Sequence, residues 1–398
     1  MAALASLYSE FVMPTYGRFE LDIARGAGCR VWDFDGKEYL DFGAGIAVCS
    51  LGHTHPEITE AVSKQASILV HTSNLYRTGP QAELARRLVG LVGPGKVFFC
   101  NSGAEANEGL IKLTRKFGNA TGRYEILTFK NSFHGRTMAG ISATAQEKIK
   151  KGFAPLLDGF VHLPFQDLDA VSAAIGPKTA AVLVEPVQGE GGIHVASADF
   201  LAGLRLICDR HDLLLLFDEI QCGLGRTGEW CGWKSVDANV MPDGVSWAKG
   251  IANGFPLGAF WATSSRGLCD LLGPGTHGTT YGGNPVCCAA AAKVLEIIQR
   301  DRLCENAVVQ GARLRDGLLG LKSPRIREVR GIGLMVGFEL AEETDANVAI
   351  PFAKKLMTLG LLAIPAGERV IRLLPPLNVT AAEVDEALEK IGVSLSAA

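Results

Sequence analysis

The central part of the chain alternates short apolar runs with stretches of helical spacing, between about residues 95 and 265. Such alternation predicts βαβ units, and therefore an α/β fold with a mainly parallel sheet and helices on both faces. Ligands in such folds bind beyond the carboxyl ends of the strands. The predicted strands are residues 96–100, 125–129, 180–185 and 213–218, and the predicted helices are residues 105–117 and 198–211.

The two ends of the chain have a different pattern. We predict an N-terminal segment at residues 1–50 that packs with a small domain, a large domain at residues 51–285 that holds the site, and a smaller α+β domain at residues 286–398. A hairpin is expected at residues 29–42. The predicted small-domain helices are residues 301–319, 347–359 and 380–395, and its predicted strands are residues 325–330, 334–340 and 370–374.

Two local signals fix the details of these end segments. Asp35 and Gly36 form the turn of the predicted hairpin. Thr380 and Glu383 have the spacing of a capping box, in which each side chain bonds to the main chain of the other residue. The capping box predicts the start of the final helix.

Composition and charge exclude several classes of function. The 398 residues are 47% hydrophobic and 20% charged, as in soluble globular proteins, and a net charge of −3 gives no footprint for nucleic acid or anionic lipid. No apolar run is long enough to span a membrane, and residues 1–10 lack the features of a secretion signal. The ten cysteines form no CxxC pair, which argues against a metal site and favours the cytoplasm.

The segment NSGAEANE, residues 101–108, follows a predicted strand and begins a predicted helix. Free main-chain N–H groups at a helix N-terminus, small residues and the hydroxyl of Ser102 would form a seat for a phosphate group. The alternative is an ordinary loop in which Ser102 is the helix N-cap. The segment is neither a Walker A loop nor a GxGxxG motif, so nucleotide binding is not supported.

Asp218 ends the most apolar run of the chain, LLLLFD, at residues 213–218. A carboxylate there is costly unless its charge has a partner. The protonated pyridine nitrogen of pyridoxal phosphate (PLP) is such a partner, since an acid at this nitrogen turns PLP into an electron sink. A metal ligand or a helix cap is the alternative for Asp218.

Three further segments carry groups that suit such a cofactor. Lys249 lies between small residues and a tryptophan, which could desolvate its amine, lower its pKa and make it a nucleophile. The alternative is a solvated surface lysine, which is the commoner case. Phe133 could stack on a planar ring or simply belong to the core. Thr279 and Thr280, in HGTTYGGNP, offer hydroxyls for phosphate, although this segment by itself indicates only a turn.

Taken together, these segments resemble the class III (ornithine/acetylornithine-type) aminotransferases of PLP fold type I over nearly the whole chain. The blocks NSGAEANE, SFHGRT, VEPVQGEGG, DEIQCGLGRTG, HGTTYGGNP and VIRLLPP occur in family order. The resemblance implies a seven-stranded-type sheet in the large domain, PLP as cofactor, and a homodimer with shared active sites.

The resemblance also implies a role for each matching residue. Lys249 would hold PLP as a Schiff base and move the proton between the substrate carbon and the cofactor, while Asp218 would pair with the ring nitrogen. Thr280 would reach the phosphate of the neighbouring subunit's cofactor. The remaining cofactor contacts would be Ser102, Gly103 and Ala104 at the phosphate, Phe133 on the ring face and Gln221 near the ring hydroxyl.

On the substrate side, the resemblance implies that Arg136 and Arg372 bind carboxylates, with Arg372 receiving the α-carboxylate of 2-oxoglutarate or glutamate. Glu190 would neutralise Arg372 while the amino donor is bound, because an unpaired buried arginine is costly. A static salt bridge between Glu190 and Arg372 is the alternative. Thr279 and Tyr16 complete the predicted substrate-binding set.

The amino donor is inferred from finer features of the N-terminal region. Ile46 and the segment around Tyr16 look like the subgroup that uses N2-acetylornithine with 2-oxoglutarate in arginine biosynthesis, because an apolar residue at position 46 suits an acylated amine. Succinylornithine, succinyl-diaminopimelate, ornithine and 4-aminobutyrate stay open as donors. Cys222 and Cys231 are unusual for the family, and we expect both to alter the edge of the substrate pocket.

Two rivals lie outside the aminotransferases. A PLP aminomutase would need no 2-oxoglutarate, so the predicted pair of Arg372 and Glu190 counts against it. A regulatory or structural homologue without catalysis would be expected to lack Lys249 or Asp218, and both residues are present.

Overall fold

The computed structural model describes residues 2–342 and 347–396. The helices, in chain order, are α1 (Ala2–Phe11), α2 (Ala44–Ala47), α3 (Pro56–Ala66), α4 (Gly79–Val92), α5 (Gly103–Gly118), α6 (Met138–Ala143), α7 (Glu147–Lys150), α8 (Leu168–Ala174), α9 (Ala198–His211), α10 (Pro285–Arg300), α11 (Leu303–Gly320), α12 (Ala349–Thr358) and α13 (Ala381–Ser396). The strands are β1 (Ile23–Ala27), β2 (Arg30–Asp33), β3 (Glu38–Asp41), β4 (Gly95–Cys100), β5 (Glu125–Phe129), β6 (Phe160–Leu163), β7 (Thr179–Val184), β8 (Val187–Gln188), β9 (His194–Val195), β10 (Leu214–Asp218), β11 (Gly244–Trp247), β12 (Gly258–Thr263), β13 (Ile326–Ile332), β14 (Met335–Leu340), β15 (Leu361–Leu362), β16 (Ile364–Ala366) and β17 (Val370–Leu373).

A seven-stranded sheet forms the centre of the molecule, in the order β4-β12-β11-β10-β7-β5-β6. The pairs β11-β10, β10-β7, β7-β5 and β5-β6 are parallel, whereas β12 runs antiparallel to both β11 and β4. The predicted α/β fold with a mainly parallel sheet is confirmed. Strands β6, β11 and β12 of this sheet were not among the predicted strands.

Alternate residues of the central strands enter two different hydrophobic clusters. Leu215 and Phe217 of β10 pack in a cluster with residues of α4, α9 and α10, whereas Leu214 and Leu216 pack with residues of α5 and α6 on the opposite face. Both faces of the sheet are therefore covered by helices. Burial on both faces explains why this strand is apolar throughout, instead of alternating between apolar and polar residues.

The carboxyl ends of the site-bearing strands meet at one edge of the central sheet. Because β4 and β11 both run antiparallel to β12, they point in the same direction as each other and as β10 and β7. Ser102 follows β4, Asp218 ends β10, Glu185 follows β7 and Lys249 follows β11. The edge that was predicted to carry the chemistry is thus assembled by the topology.

The end segments also fold as the sequence patterns indicate. β2 and β3 form the predicted hairpin, with Gly36 at a φ of 83° in its turn. The capping box is present, because the main-chain N–H of Thr380 donates to Glu383 at 2.8 Å and that of Glu383 donates to Thr380 at 3.3 Å. β13, β14, β17 and β16 form a separate four-stranded sheet that carries Arg372 on β17.

The N-terminal segment and the C-terminal part of the chain share one hydrophobic cluster. Phe42 and Leu51 pack there with Leu361 and Ile371, and β15 pairs with β3 in parallel. The contacts favour the predicted packing of residues 1–50 on the small domain, whose boundaries stay a prediction. Within the described part of the chain, no helix combines the length and apolar character needed to cross a membrane.

Candidate active site

A cavity of about 370 Å³ opens at the carboxyl edge of the central sheet. Its volume lies in the range of a site for a small molecule or cofactor. Lys249, Asp218, Glu185, Gln221 and Phe133 all line it. Four of these were predicted site residues from distant parts of the sequence, so the fold brings the predicted cofactor residues together, with the exception of Thr280.

Asp218 is held by hydrogen bonds from three directions at the end of β10. Its Oδ2 atom accepts from Asn107 Nδ2 at 2.7 Å and lies 2.8 Å from His134 Nδ1, and its Oδ1 atom accepts from the main-chain N–H of Ile220 at 3.1 Å. Only 3% of the residue is exposed. A carboxylate fixed in this way can face a cationic ring nitrogen without being free to rotate.

Lys249 follows β11 in a backbone conformation that few non-glycine residues adopt. Its φ is 46°, in the left-handed region, and such strain is concentrated at functional sites. Loss of water around the amine lowers the pKa of Lys249, because burial disfavours the charged form. A larger fraction of the amine is then neutral and able to act as a nucleophile or base.

Glu185 is a second buried carboxyl group at the cavity wall. Burial, together with the negative charge of Asp218, raises the pKa of Glu185 well above its usual value. Its Oε2 atom accepts a hydrogen bond from the main-chain N–H of Phe133 at 3.0 Å, which holds the segment that presents the Phe133 ring. We assign Glu185 a supporting role for that segment.

The segment predicted as a phosphate seat begins α5 at the wall of the cavity. Ser102 is the N-cap of α5, since its hydroxyl accepts from the main-chain N–H of Glu105 at 3.2 Å. Ser102, Gly103 and Ala104 nevertheless line the cavity. A Cβ on Gly103 would lie 2.8 Å from a methyl group of Ile220, so a larger residue here would require Ile220 to move. The opening of a long helix suits an anionic group.

Arg372 reaches the site from the small sheet and is fully buried. Its Nη1 atom donates to Glu190 Oε1 and to Gln221 Oε1, each at 2.8 Å. Burial alone would raise the pKa of Glu190, but the positive charges of Arg372 and Lys249 outweigh burial and lower this pKa. Glu190 is therefore an ionised partner of Arg372, and the predicted contact between them is present.

Arg136 stands at the mouth of the cavity. Its guanidinium carbon lies 5.6 Å from the centre of the Phe133 ring, and its side chain is exposed. An exposed cation at an entrance can receive the carboxylate of an incoming substrate.

Arg372 and Glu190 lie beside the cavity without lining it, and the remaining predicted residues do not line it either. Thr280 is exposed on the loop after β12, and Thr279 accepts a hydrogen bond from Asn101 Nδ2 at 3.0 Å. Tyr16 is 75% exposed, and Ile46 lines a different groove, formed with the N-terminal segment. Within one chain, none of these four side chains lines the cavity that contains Lys249.

The expectation for Cys222 and Cys231 is wrong. Both side chains are buried in apolar clusters, and neither lines the cavity. Cys222 follows Gln221 in the sequence, but its Sγ atom faces the main-chain oxygen of Asp218 at 3.9 Å, while Cys231 Sγ faces that of Leu91 at 3.7 Å. The turn after β10 therefore directs Gln221 to the cavity and Cys222 to the core.

Three site residues were not singled out from the sequence. Asn107 and His134 bond to Asp218, and Ser246 bonds to Asn107. Asn107 and His134 lie within the blocks NSGAEANE and SFHGRT, where their polar character among buried positions was the available signal.

Comparison with known proteins agrees with this site. The family model of class-III aminotransferases matches residues 11–395. The chain is 47% identical to the acetylornithine aminotransferase of Myxococcus xanthus, over 96% of this chain and 95% of that protein. Among solved structures, N-acetylornithine aminotransferase from Stenotrophomonas maltophilia K279a has a TM-score of 0.83 at 35% identity, covering 100% of this chain and 98% of that one.

An ornithine aminotransferase from Toxoplasma gondii, with PLP at partial occupancy in its active site, has a TM-score of 0.94 at 33% identity. The alignment covers 99% of this chain and 93% of that one. The family match and the identity over nearly the full length agree with the motif blocks and with the cavity that they build. The chain belongs to the class-III aminotransferases.

Proposed function

We propose that this chain is an acetylornithine aminotransferase, which transfers the δ-amino group of N2-acetyl-L-ornithine to 2-oxoglutarate. The products are N-acetyl-L-glutamate 5-semialdehyde and L-glutamate, and the setting is arginine biosynthesis. The observation that carries the proposal is the contact of the buried Arg372 with Glu190 beside the Lys249 cavity. The identity to the Myxococcus xanthus enzyme supports the choice of donor.

The residues of the cavity fit PLP as the cofactor. Asp218 would face the ring nitrogen, Phe133 would cover one ring face, and the start of α5 at Gly103 would receive the phosphate. When bound, PLP withdraws electrons from the substrate carbon that carries the amino group. Lys249 would hold the cofactor covalently, since its amine faces the same cavity.

Lys249 would also move the proton in the chemical step. Its lowered pKa leaves the amine able to accept a proton from the substrate carbon and to return it. Asp218 keeps its negative charge in a fixed position, because three donors bond to it.

Arg372 and Glu190 would let one cavity accept two different substrates in turn. A guanidinium group binds a carboxylate with two parallel hydrogen bonds, so Arg372 suits the α-carboxylate of 2-oxoglutarate. When the acylated amine is bound, Glu190 would neutralise Arg372, which otherwise is a costly buried charge. The reaction would then follow a ping-pong course, with Arg136 receiving the distant carboxylate.

We further propose that the enzyme works as a homodimer in the cytoplasm. Thr280 is exposed and lies outside the cavity of its own chain, as a residue that serves a neighbouring site would. Large apolar side chains such as Leu75 and Tyr76 are 86% and 67% exposed, which is typical of a surface that a partner covers. The proposed effect of Ile46 on the donor depends on this dimer, because Ile46 lines another groove.

A half-reaction experiment tests the choice of donor. The PLP-loaded protein is mixed separately with N2-acetylornithine, ornithine and 4-aminobutyrate, and the loss of visible absorbance is followed with time. We expect the fastest loss with N2-acetylornithine. An equal or faster loss with ornithine would contradict the proposed donor while leaving the class of enzyme unchanged.

A further inference from the structure

Asn107 is a fully buried amide in helix α5, where an unsatisfied polar group would be costly. Its Nδ2 atom donates to Asp218 Oδ2 at 2.7 Å and to the main-chain oxygen of His134 at 3.0 Å. Its Oδ1 atom accepts from Ser246 Oγ at 2.7 Å. Because an ionised carboxylate and a carbonyl can only accept, the orientation of this amide is fixed.

Ser246 is placed to control Asn107 from the neighbouring strand. It lies on β11 directly opposite Asp218 on β10 in the parallel register, and it is fully buried. The hydroxyl of Ser246 donates to Asn107 and thereby acts on Asp218 through the amide. Ser246 also precedes Lys249 by a few residues on the same segment. One short stretch of chain would therefore act both at the ring nitrogen, through Asn107 and Asp218, and at the point of covalent attachment.

The two oxygens of Asp218 are not equivalent in this network. Oδ2 has two partners, Asn107 and His134, at 2.7 and 2.8 Å. Oδ1 has the main-chain N–H of Ile220 at 3.1 Å, which leaves one of its lone-pair directions unused. Rotation of the carboxylate would break the short bonds to Oδ2, so the network determines which oxygen stays available.

We propose that Ser246 and Asn107 are positioning residues for the cofactor. Ser246 fixes the amide of Asn107, Asn107 fixes Oδ2 of Asp218, and Oδ1 is thereby left as the acceptor for the cationic ring nitrogen. The inference rests on the proposed function, because it concerns the cofactor of that function. Neither Ser246 nor Asn107 touches the reacting atoms.

A double-mutant cycle on PLP affinity tests this arrangement. PLP is titrated into cofactor-free wild type, Asn107→Leu, Ser246→Ala and the double variant, and binding is followed by visible absorbance. Loss of a hydrogen bond to a charged group predicts about 10- to 100-fold weaker binding for Asn107→Leu. Ser246→Ala, which leaves the amide in place, is expected to weaken binding by about 3- to 10-fold.

Non-additivity is the decisive outcome of the cycle. If Ser246 acts through Asn107, Ser246→Ala causes no further loss once Asn107 is leucine. An equal loss from Ser246→Ala in both backgrounds would overturn the proposal. Thr114→Val is the matched control, because Thr114 is buried on the same helix and, among the described residues, its hydroxyl donates to Leu110 O at 2.9 Å and not to Asp218. It is expected to bind PLP as the wild type does.

A second readout separates positioning from a general loss of structure. The pH at which the visible absorbance of the bound cofactor changes is expected to shift in Asn107→Leu and to stay unchanged in Thr114→Val. Should leucine prevent folding, Asn107→Ala replaces it, since alanine leaves space instead of causing a clash. If the wild type binds no PLP, the proposed function fails; if it binds PLP and Asn107→Leu binds equally well, only the positioning role fails.

Discussion

The candidate active site has a cofactor end inside the cavity and a substrate end beside it, and the two are held in different ways. At the cofactor end, Asp218 has three hydrogen-bond donors from three separate segments and is 3% exposed. At the substrate end, Glu190 has a side chain that is 29% exposed, and it contacts Arg372 through one guanidinium nitrogen. The Nε atom of Arg372 is buried and has no hydrogen-bond partner among the described residues.

The difference matches two kinds of task. A group that must keep one geometry through the whole reaction is best held by a saturated network. A group that must exchange partners between two substrates needs fewer bonds and a mobile support, and Glu190 lies in a loop with several glycines between β8 and β9. The cofactor end is therefore built for fixed chemistry, and the substrate end is built for exchange.

The largest expected effect is at the cofactor end of the site. Lys249→Ala removes both the covalent attachment and the proton carrier, so we expect turnover to fall by about 10³-fold or more. The visible absorbance of the covalently held cofactor should be lost as well. The matched control is Lys148→Ala, an exposed lysine of α7, which should behave as the wild type. Normal turnover by Lys249→Ala would remove the assignment.

At the substrate end, Arg372→Ala should raise the KM for one substrate more than the KM for the other. Loss of a bidentate charged contact predicts a rise of about 10- to 100-fold in KM for 2-oxoglutarate and a much smaller change for the amine. Steady-state kinetics with each substrate varied in turn measures this difference. Arg372→Lys keeps the charge without the planar fork and should lie between the two. An equal effect on both substrates contradicts the exchange.

Glu190→Gln separates a switch from a static salt bridge. The glutamine keeps the size of the side chain but cannot neutralise Arg372, so the half-reaction with the amine should slow by about 10-fold. The half-reaction with 2-oxoglutarate should keep its rate or increase, because Glu190 no longer competes for Arg372. Rapid-mixing absorbance measures both half-reactions. Equal slowing of both, with reduced stability, would favour the static bridge.

The last expected effect concerns stability and leaves the comparison of the two ends unchanged. Burial raises the pKa of Glu219, next to Asp218 in the sequence, to about 8. With a folded pKa above the unfolded value of 4.5, its contribution to stability is complete below pH 4.5 and decreases as the pH rises towards 8. The slope is at most about 1.4 kcal/mol per pH unit. Glu219→Gln should flatten the fall in unfolding free energy over this range, and an unchanged slope contradicts the shifted pKa.

The cofactor end could be predicted from the sequence only in part. Asp218 and Lys249 follow apolar strands of a βαβ pattern, and such a pattern brings strand ends together. Asn107 and Ser246 are satisfied by partners 111 and 139 residues away, and such contacts leave no trace in local spacing. Buried polar residues in apolar segments were the available signal for them.

The prediction of the substrate end depended more strongly on family resemblance. Glu190 lies in a loop and Arg372 lies on β17, 182 residues away, so neither periodicity nor local motif chemistry joins them. Cys222 was misplaced, because the turn that follows β10 decides which of two adjacent side chains faces the cavity. Tyr16 and Ile46 lie away from the cavity of their own chain, and their roles stay predictions.

Covalent capture of the cofactor is the sharpest test of the role of Lys249. Borohydride reduces a carbon–nitrogen double bond, so treatment of the PLP-loaded protein should fix one phosphopyridoxyl group on the chain. After proteolysis and mass spectrometry, we expect this group on the peptide that contains Lys249. A protein that gains no adduct, or an adduct confined to another lysine, would contradict this role.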